Sequence, residues 1–142
     1  MPLANFQRAL SGLLLCALVA VAAPASSATL DEELALTANE LNAVLPKMID
    51  ETTRWDEVIA GPGPRFEYVY TLTDHWVAEE TREKMLVALR PALRDTSCGN
   101  SAMNWFWRFG VDVFYTYRTS NDHWRRSVRI NLLDCAGDRA SE

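Results

Sequence analysis

Two histidines, three cysteines and nineteen carboxylates are the groups from which this chain could assemble a reaction centre. His75 and Glu79 stand four apart, a helical spacing that can seat two metal ligands. No third-ligand motif follows, and an exposed first helical turn accounts for the pair. His123 closes a turn beside Asp122, where ordinary hairpin chemistry explains it. Asp50, Glu51, Asp56, Glu57 and Glu67 crowd one region, and a glycosidase-type pair would need two of them converging on a cleft. Spacing gives no such convergence, so solvated strand faces are the expectation, with Asp50 and Arg54 as a local ion pair. The loop Gly61-Pro62-Gly63-Pro64 is glycine-rich, yet two of its four residues have no N–H to offer a phosphate; it is expected to be a rigid hairpin turn. No nucleophile elbow is present. The sequence therefore predicts no enzyme, no catalytic residue, no metal and no cofactor.

Binding chemistry is better represented. Arg118, Arg125, Arg126 and Arg129 gather beside Tyr117 and Trp124, and arginine with aromatics suits stacking on a ligand or a partner. Trp105, Phe106, Trp107 and Phe109 form an aromatic stretch. At about 100° per residue, Met103, Phe106 and Trp107 share one arc of a helix and Trp105 with Phe109 another. One helix on one sheet buries one arc, so Trp105 and Phe109 are either covered by other elements or left as an exposed apolar contact. The expected partner surface is Trp105, Phe109, Arg118, Trp124, Arg125 and Arg129. The alternative is a small-ligand pocket between sheet and helices, lined by Tyr68, Tyr70, Tyr115 and Tyr117.

The elements that must position these groups begin after a leader. Residues 1–28 have the layout of a secretory signal, with Arg8, an apolar core from Leu13 to Ala22, and the small residues Ser26-Ser27-Ala28. The apolar run falls short of a membrane span. Cys16 lies inside it, which leaves Cys98 and Cys135 as an even pair in a chain bound for an oxidising compartment, and a disulfide is expected. Without Arg8, thirteen basic residues face nineteen acidic ones, a formal charge of −6. Such a chain is no general binder of nucleic acid or anionic membranes. Residues 29–136 are expected to form a single domain and 137–142 a flexible tail.

Within that domain the spacing of Leu34, Ala38, Leu41 and Leu45 predicts a helix over 31–45, ended by Pro46. Residues 51–60 read as a strand with imperfect alternation that invites a bulge. Phe66, Tyr68, Tyr70 and Leu72 share one face of the next strand. A second long helix is expected from Asp74 to Asp95, with Val77, Thr81, Met85, Ala88, Leu89, Ala92 and Leu93 as its apolar stripe and a kink or break near Arg90 before Pro91. Ser97 to Asn100 is expected to be a loop. The aromatic helix, a glycine stop at Gly110 and two further strands follow, 111–118 and 124–133, around the turn Thr119-Ser120-Asn121-Asp122. The order is helix, hairpin, helix, short helix, hairpin. It predicts an α+β fold with a four-stranded antiparallel sheet made of two hairpins, helices on one face, and one disulfide.

Leu45-Pro46, Asp50-Glu51-Thr52-Thr53-Arg54, the turn Ala60-Gly61-Pro62-Gly63, the run Tyr68-Val69-Tyr70-Thr71-Leu72 and the stretch from Cys98 to Gly110-Val111 carry a resemblance over nearly all of Asp31 to Cys135. The chain resembles a family of short exported Gram-negative proteins labelled quorum-sensing-regulated virulence factors. The resemblance implies an α+β periplasmic or secreted domain with no established reaction or cofactor. Together with the residues it points to a non-enzymatic exported module whose partner is a protein: an envelope or secretion component, or a host molecule. The alternative is a periplasmic carrier of a small ligand.

Overall fold

The computed structural model describes residues 29–73, 78–121 and 123–137. The leader, His75, Val77, Asp122 and the tail after Gly137 lie outside the described residues. Ten elements follow in order: α1 (Leu30–Asn42), β1 (Lys47–Met48), β2 (Thr53–Ala60), β3 (Arg65–Leu72), α2 (Glu79–Gly99), a 3-10 turn (Ser101–Met103), α3 (Asn104–Arg108), β4 (Asp112–Thr119), β5 (Arg125–Ile130) and α4 (Leu132–Ala136).

The sheet departs from the sequence expectation. It has five strands in the order β1-β2-β3-β4-β5, and the central pair β3·β4 is parallel while the other pairs are antiparallel. Two hairpins are present as expected, but a long connection through α2 and α3 joins them. A crossover of that length returns the chain to the starting end of β3, so β4 runs alongside it in the same direction. β1 is a two-residue edge strand too short to leave a periodic signal.

Helix α1 starts at a capping box. Thr29 accepts from the Glu32 N–H and the Glu32 carboxylate accepts from the Thr29 N–H at 2.7 Å. The helix ends at Asn42, short of Leu45, because Asn42 turns its side chain to β2: its amide N–H donates to the Val58 carbonyl at 2.9 Å and its oxygen accepts from the Val58 N–H at 2.7 Å. In β2 the register shifts between Trp55 and Glu57, the bulge that the broken alternation anticipated. The turn to β3 uses Gly61 and Gly63, both at positive φ, where a side chain would be strained.

Helix α2 spans Glu79–Gly99, the expected start at Asp74 lying outside the described residues, and runs unbroken through Pro91, taking in the supposed loop at Cys98. Its inward face is Arg82, Leu86 and Ser97 with Leu89 and Leu93, whereas Thr81, Met85, Ala88 and Ala92 face out. The stripe is rotated from the expected one because two inward positions are polar. Arg82 lies over the Trp124 ring, 5.1 Å from its centroid, and the Ser97 hydroxyl pairs with the Tyr115 hydroxyl at 2.7 Å. Glu80 and Lys84, four apart, pair at 2.7 Å on the exposed side. Strand β5 stops at Ile130, three residues early, because Asn131 caps α4: its side chain accepts from the Leu133 and Asp134 N–H groups.

All the helices pack on one face of the sheet. Leu34 and Ala38 of α1, Phe106 and Trp107 of α3, and Cys135 of α4 meet Val58, Phe66, Val113, Val128 and Ile130 in one core, and Leu86 of α2 meets Tyr117 and Trp124 in a second. The disulfide Cys98–Cys135 joins the end of α2 to α4. The four tyrosines of the chain stack in pairs across the parallel strands, Tyr68 on Tyr115 at 5.3 Å and Tyr70 on Tyr117 at 5.2 Å. Burial pushes all four hydroxyls above their ordinary value, Tyr117 to about 12.

Two measurements follow. With the cysteines 37 positions apart, Cys98→Ser with Cys135→Ser should cost about 4 kcal/mol in the chain-entropy estimate, read as a lower urea midpoint. A folded group that favours its neutral phenol contributes stability fully present below the ordinary tyrosine value and lost as pH rises from there through the higher folded value. Absorbance at about 295 nm should show little tyrosinate near pH 10 in the native protein and about half of the tyrosine ionised once urea unfolds it.

Candidate functional site

The face of the sheet turned away from the helices holds the charges. Register places Arg54 and Glu57 of β2, Glu67 and Thr71 of β3, Thr116 and Arg118 of β4, and Arg125, Ser127 and Arg129 of β5 on it. Two carboxylates organise this face. Asp56, the bulge residue, accepts from Arg54 Nε, from the Thr71 hydroxyl and from Arg118 Nη2 at 2.9 Å. Glu67 accepts from Arg65 Nη2 at 2.9 Å, Arg125 Nη2 at 2.7 Å and the Thr116 hydroxyl at 2.6 Å. Arg118 on β4 thus reaches across β3 to β2, and Arg125 on β5 reaches across β4 to β3. Arg65 also stacks on Phe114, 3.7 Å from the ring centroid.

The expectation of solvated carboxylates is therefore corrected for these two. Their side chains are only 8% and 6% exposed. Burial alone would raise each carboxyl, but hydrogen bonds and the positive charge of the arginines outweigh it and hold both below the ordinary range. They stand as fixed anions at neutral pH, unsuited to donating a proton. Asp50 also differs from expectation: it accepts from the Thr52 and Thr53 N–H groups, both at 2.8 Å, and Arg54 pairs with Asp56 instead.

The six residues expected to form one contact surface are divided among three places. Arg118, Arg125 and Arg129 lie on the charged face, with Arg129 3.8 Å from Asp112. Trp124 is 5% exposed and belongs to the second core, where its indole N–H donates to Glu83 at 3.1 Å. Trp105 and Phe109 lie on the helix side. Arg126 points there too, onto Glu83 at 2.8 Å. The tyrosines of the alternative pocket fill the space between sheet and α2 with one another and with Leu86, Leu89 and Leu93. His123 is exposed at positive φ.

Trp105 and Phe109 lead from core to surface. Phe66 meets Phe106 at 4.9 Å, Phe106 meets Trp105 at 5.2 Å, and Trp105 meets Phe109 at 5.3 Å. Trp105 is half-buried and Phe109 is 51% exposed. Beyond Gly110 a shallow depression of about 190 Å3 is lined by Asp112, Asn131, Leu132 and Leu133, and Leu133 is 81% exposed. The sequence expectation missed α4 and so missed both leucines; the signal was Asn131 followed three residues later by Asp134, a capping box.

Acid tests the charged face. A carboxylate with a depressed folded value contributes stability above its unfolded value and loses it as pH falls below that toward the folded one. Stability should be level down to about pH 4.5 and then fall. In Asp56→Asn with Glu67→Gln the fall over that window should flatten, with a cost of about 1–3 kcal/mol per site at pH 7, measured by urea unfolding.

No protein-family model matches the sequence, and no curated protein does. Solved structures do match. A Pseudomonas aeruginosa protein described as secreted is 16% identical with a TM-score of 0.64, covering 77% of this chain and 99% of that one. EpsS, the pilotin of the Vibrio vulnificus type 2 secretion system, is 14% identical with a TM-score of 0.56 over 74% and 90% of the two chains. AspS, the type II secretion system pilotin of Vibrio cholerae, is 14% identical with a TM-score of 0.52 over 74% and 91%. At these identities the likeness is one of fold: the chain shares its α+β architecture with a protein described as secreted and with pilotins of secretion systems.

Proposed function

We propose that this chain is an exported, non-enzymatic module that acts by docking a protein partner at the corner formed by α3 and α4. The observation that carries this is the aromatic ladder Phe66, Phe106, Trp105, Phe109, which ends in an exposed ring next to the depression flanked by Leu132 and Leu133. Such a patch is rigid, because its inner rungs are core and α4 is tied down by Cys135, and rigid aromatic and aliphatic anchors contribute most to protein contacts. Trp105 supports the corner, and Phe109 and Leu133 make the contact. Of the surface expected from sequence, Trp105 and Phe109 are kept here.

The shared fold with secretion-system pilotins supports a role in the envelope or in secretion, and no described helix is long and apolar enough to cross a membrane. The buried, arginine-held state of Asp56 and Glu67 supports a non-enzymatic role, since the two best-placed carboxylates are engaged in structure. The alternative pocket lined by Tyr68, Tyr70, Tyr115 and Tyr117 would need room that their own stacked rings occupy.

Phe109→Ser with Leu133→Ser should leave stability within about 0.5 kcal/mol and abolish retention of the partner from the native envelope fraction. Trp105→Ser should lower the melting temperature sharply. Retention unchanged in the double variant would remove the corner from the proposal.

A further inference from the structure

Strand β5 ends the sheet, so among the described residues one of its two rows of backbone N–H and C=O groups has no strand partner. An open edge is a template for another strand, and most proteins blunt it. The opposite edge is blunted: β1 has two residues, and Asn42 occupies the backbone groups of Val58. β5 has six residues and borders a cleft of about 250 Å3 against α2, lined by Leu86, Val87, Arg90, Ser127 and Val128 among others. Val87 is 76% exposed there. A strand edge beside a helix with an apolar cleft between them suits an extended peptide, whose main chain bonds to the edge while alternate side chains enter the cleft.

Charge selects the occupant. Arg125 and Arg129 lie on the charged face with Ser127 between them; Arg125 holds Glu67 at 2.7 Å and Arg129 lies 3.8 Å from Asp112, yet both side chains stay about half exposed and can meet a further carboxylate. Directly opposed like charges destabilise a strand pair and opposite charges stabilise it. The central antiparallel register of β5 against a second copy of itself, about Ser127, sets Arg125 against Arg129 at both ends on one face, which disfavours self-pairing. The geometry points to an acidic, extended segment of another protein, added as a sixth strand beside β5. Its carboxylates at positions i and i+4 face Arg129 and Arg125, and its apolar side chains at i+1 and i+3 turn into the cleft over Leu86 and Val87. The net negative charge of the chain does not prevent this, because at physiological salt fields decay over about 8 Å and the nearby arginines dominate. Neither Phe109 nor Leu133 takes part, so the edge and the corner stand or fall separately.

The test uses residues 29–142 in oxidised form and the end-capped peptide Thr-Val-Glu-Val-Thr-Val-Glu-Val-Thr, whose pattern reads alike in both strand directions. Calorimetry should give saturable one-to-one binding, at least ten-fold weaker when both glutamates are lysines. Arg129→Glu, checked for an unchanged melting temperature, should lose affinity for the glutamate peptide and gain it for the lysine one. Two peptides N-methylated on complementary alternate amides separate strand addition from plain charge attraction: one should lose binding and the other keep it, since only one row of peptide N–H groups faces β5. No binding, equal binding of glutamate and lysine peptides, or equal behaviour of the two N-methylated peptides would overturn the proposal. Phe109→Ser with Leu133→Ser should bind the peptide as the native protein does.

Discussion

Eight residues of β3 lie beside eight of β4 in parallel register, and both faces of the molecule are keyed to that pairing. It sets Phe66 by Val113, Tyr68 by Tyr115 and Tyr70 by Tyr117 toward the helices, and Glu67 by Phe114 and Thr71 by Arg118 on the other side. Because side chains alternate, a slip of one residue would exchange the faces, sending the tyrosine pairs to solvent and Glu67 into an apolar layer. Parallel pairing also obliges the connection to come back to its starting end. That return trip is α2, the 3-10 turn and α3, which supply much of the roof over the sheet.

What the sequence made legible was local. The two hairpins, the proline-glycine turn, the bulge in β2, the pairing of Cys98 with Cys135 and the inward arc of Met103, Phe106 and Trp107 all follow from neighbours a few residues apart or from elimination. The parallel pair was not legible, because nothing in β3 or β4 alone distinguishes a partner reached by a tight turn from one reached through about forty residues. The face of α2 was misjudged because Arg82 and Ser97 face inward, Arg82 over the Trp124 ring and Ser97 against the Tyr115 hydroxyl; hydropathy spacing treats such positions as outward. Burial of Asp56 and Glu67 escaped detection for a related reason. Period-2 alternation places Glu67 correctly on the face away from the core, but two of the three groups that enclose it, Thr116 of β4 and Arg125 of β5, come from some fifty or sixty positions along the chain.

The two faces of the sheet are held by different physics. Toward the helices, apolar and aromatic burial dominates, and the tyrosine hydroxyls are tolerated because their rings stack and Ser97 meets one of them. On the charged face, buried carboxylates are acceptable only because each is met by several donors; removing one donor would leave part of an ion's desolvation uncompensated. That arrangement is weak evidence for stability but strong for register, since Arg118 and Arg125 must each span a neighbouring strand to reach their acids.

The unequal margins of the sheet carry a further consequence. A layer able to accept a newcomer on both sides is the repeat unit of a fibril, because every arrival re-creates the vacancy it fills. Here one margin is reduced to Lys47 and Met48 and closed further along by Asn42. Such a molecule can at most be extended once, and so cannot propagate a filament by stacking edge on edge.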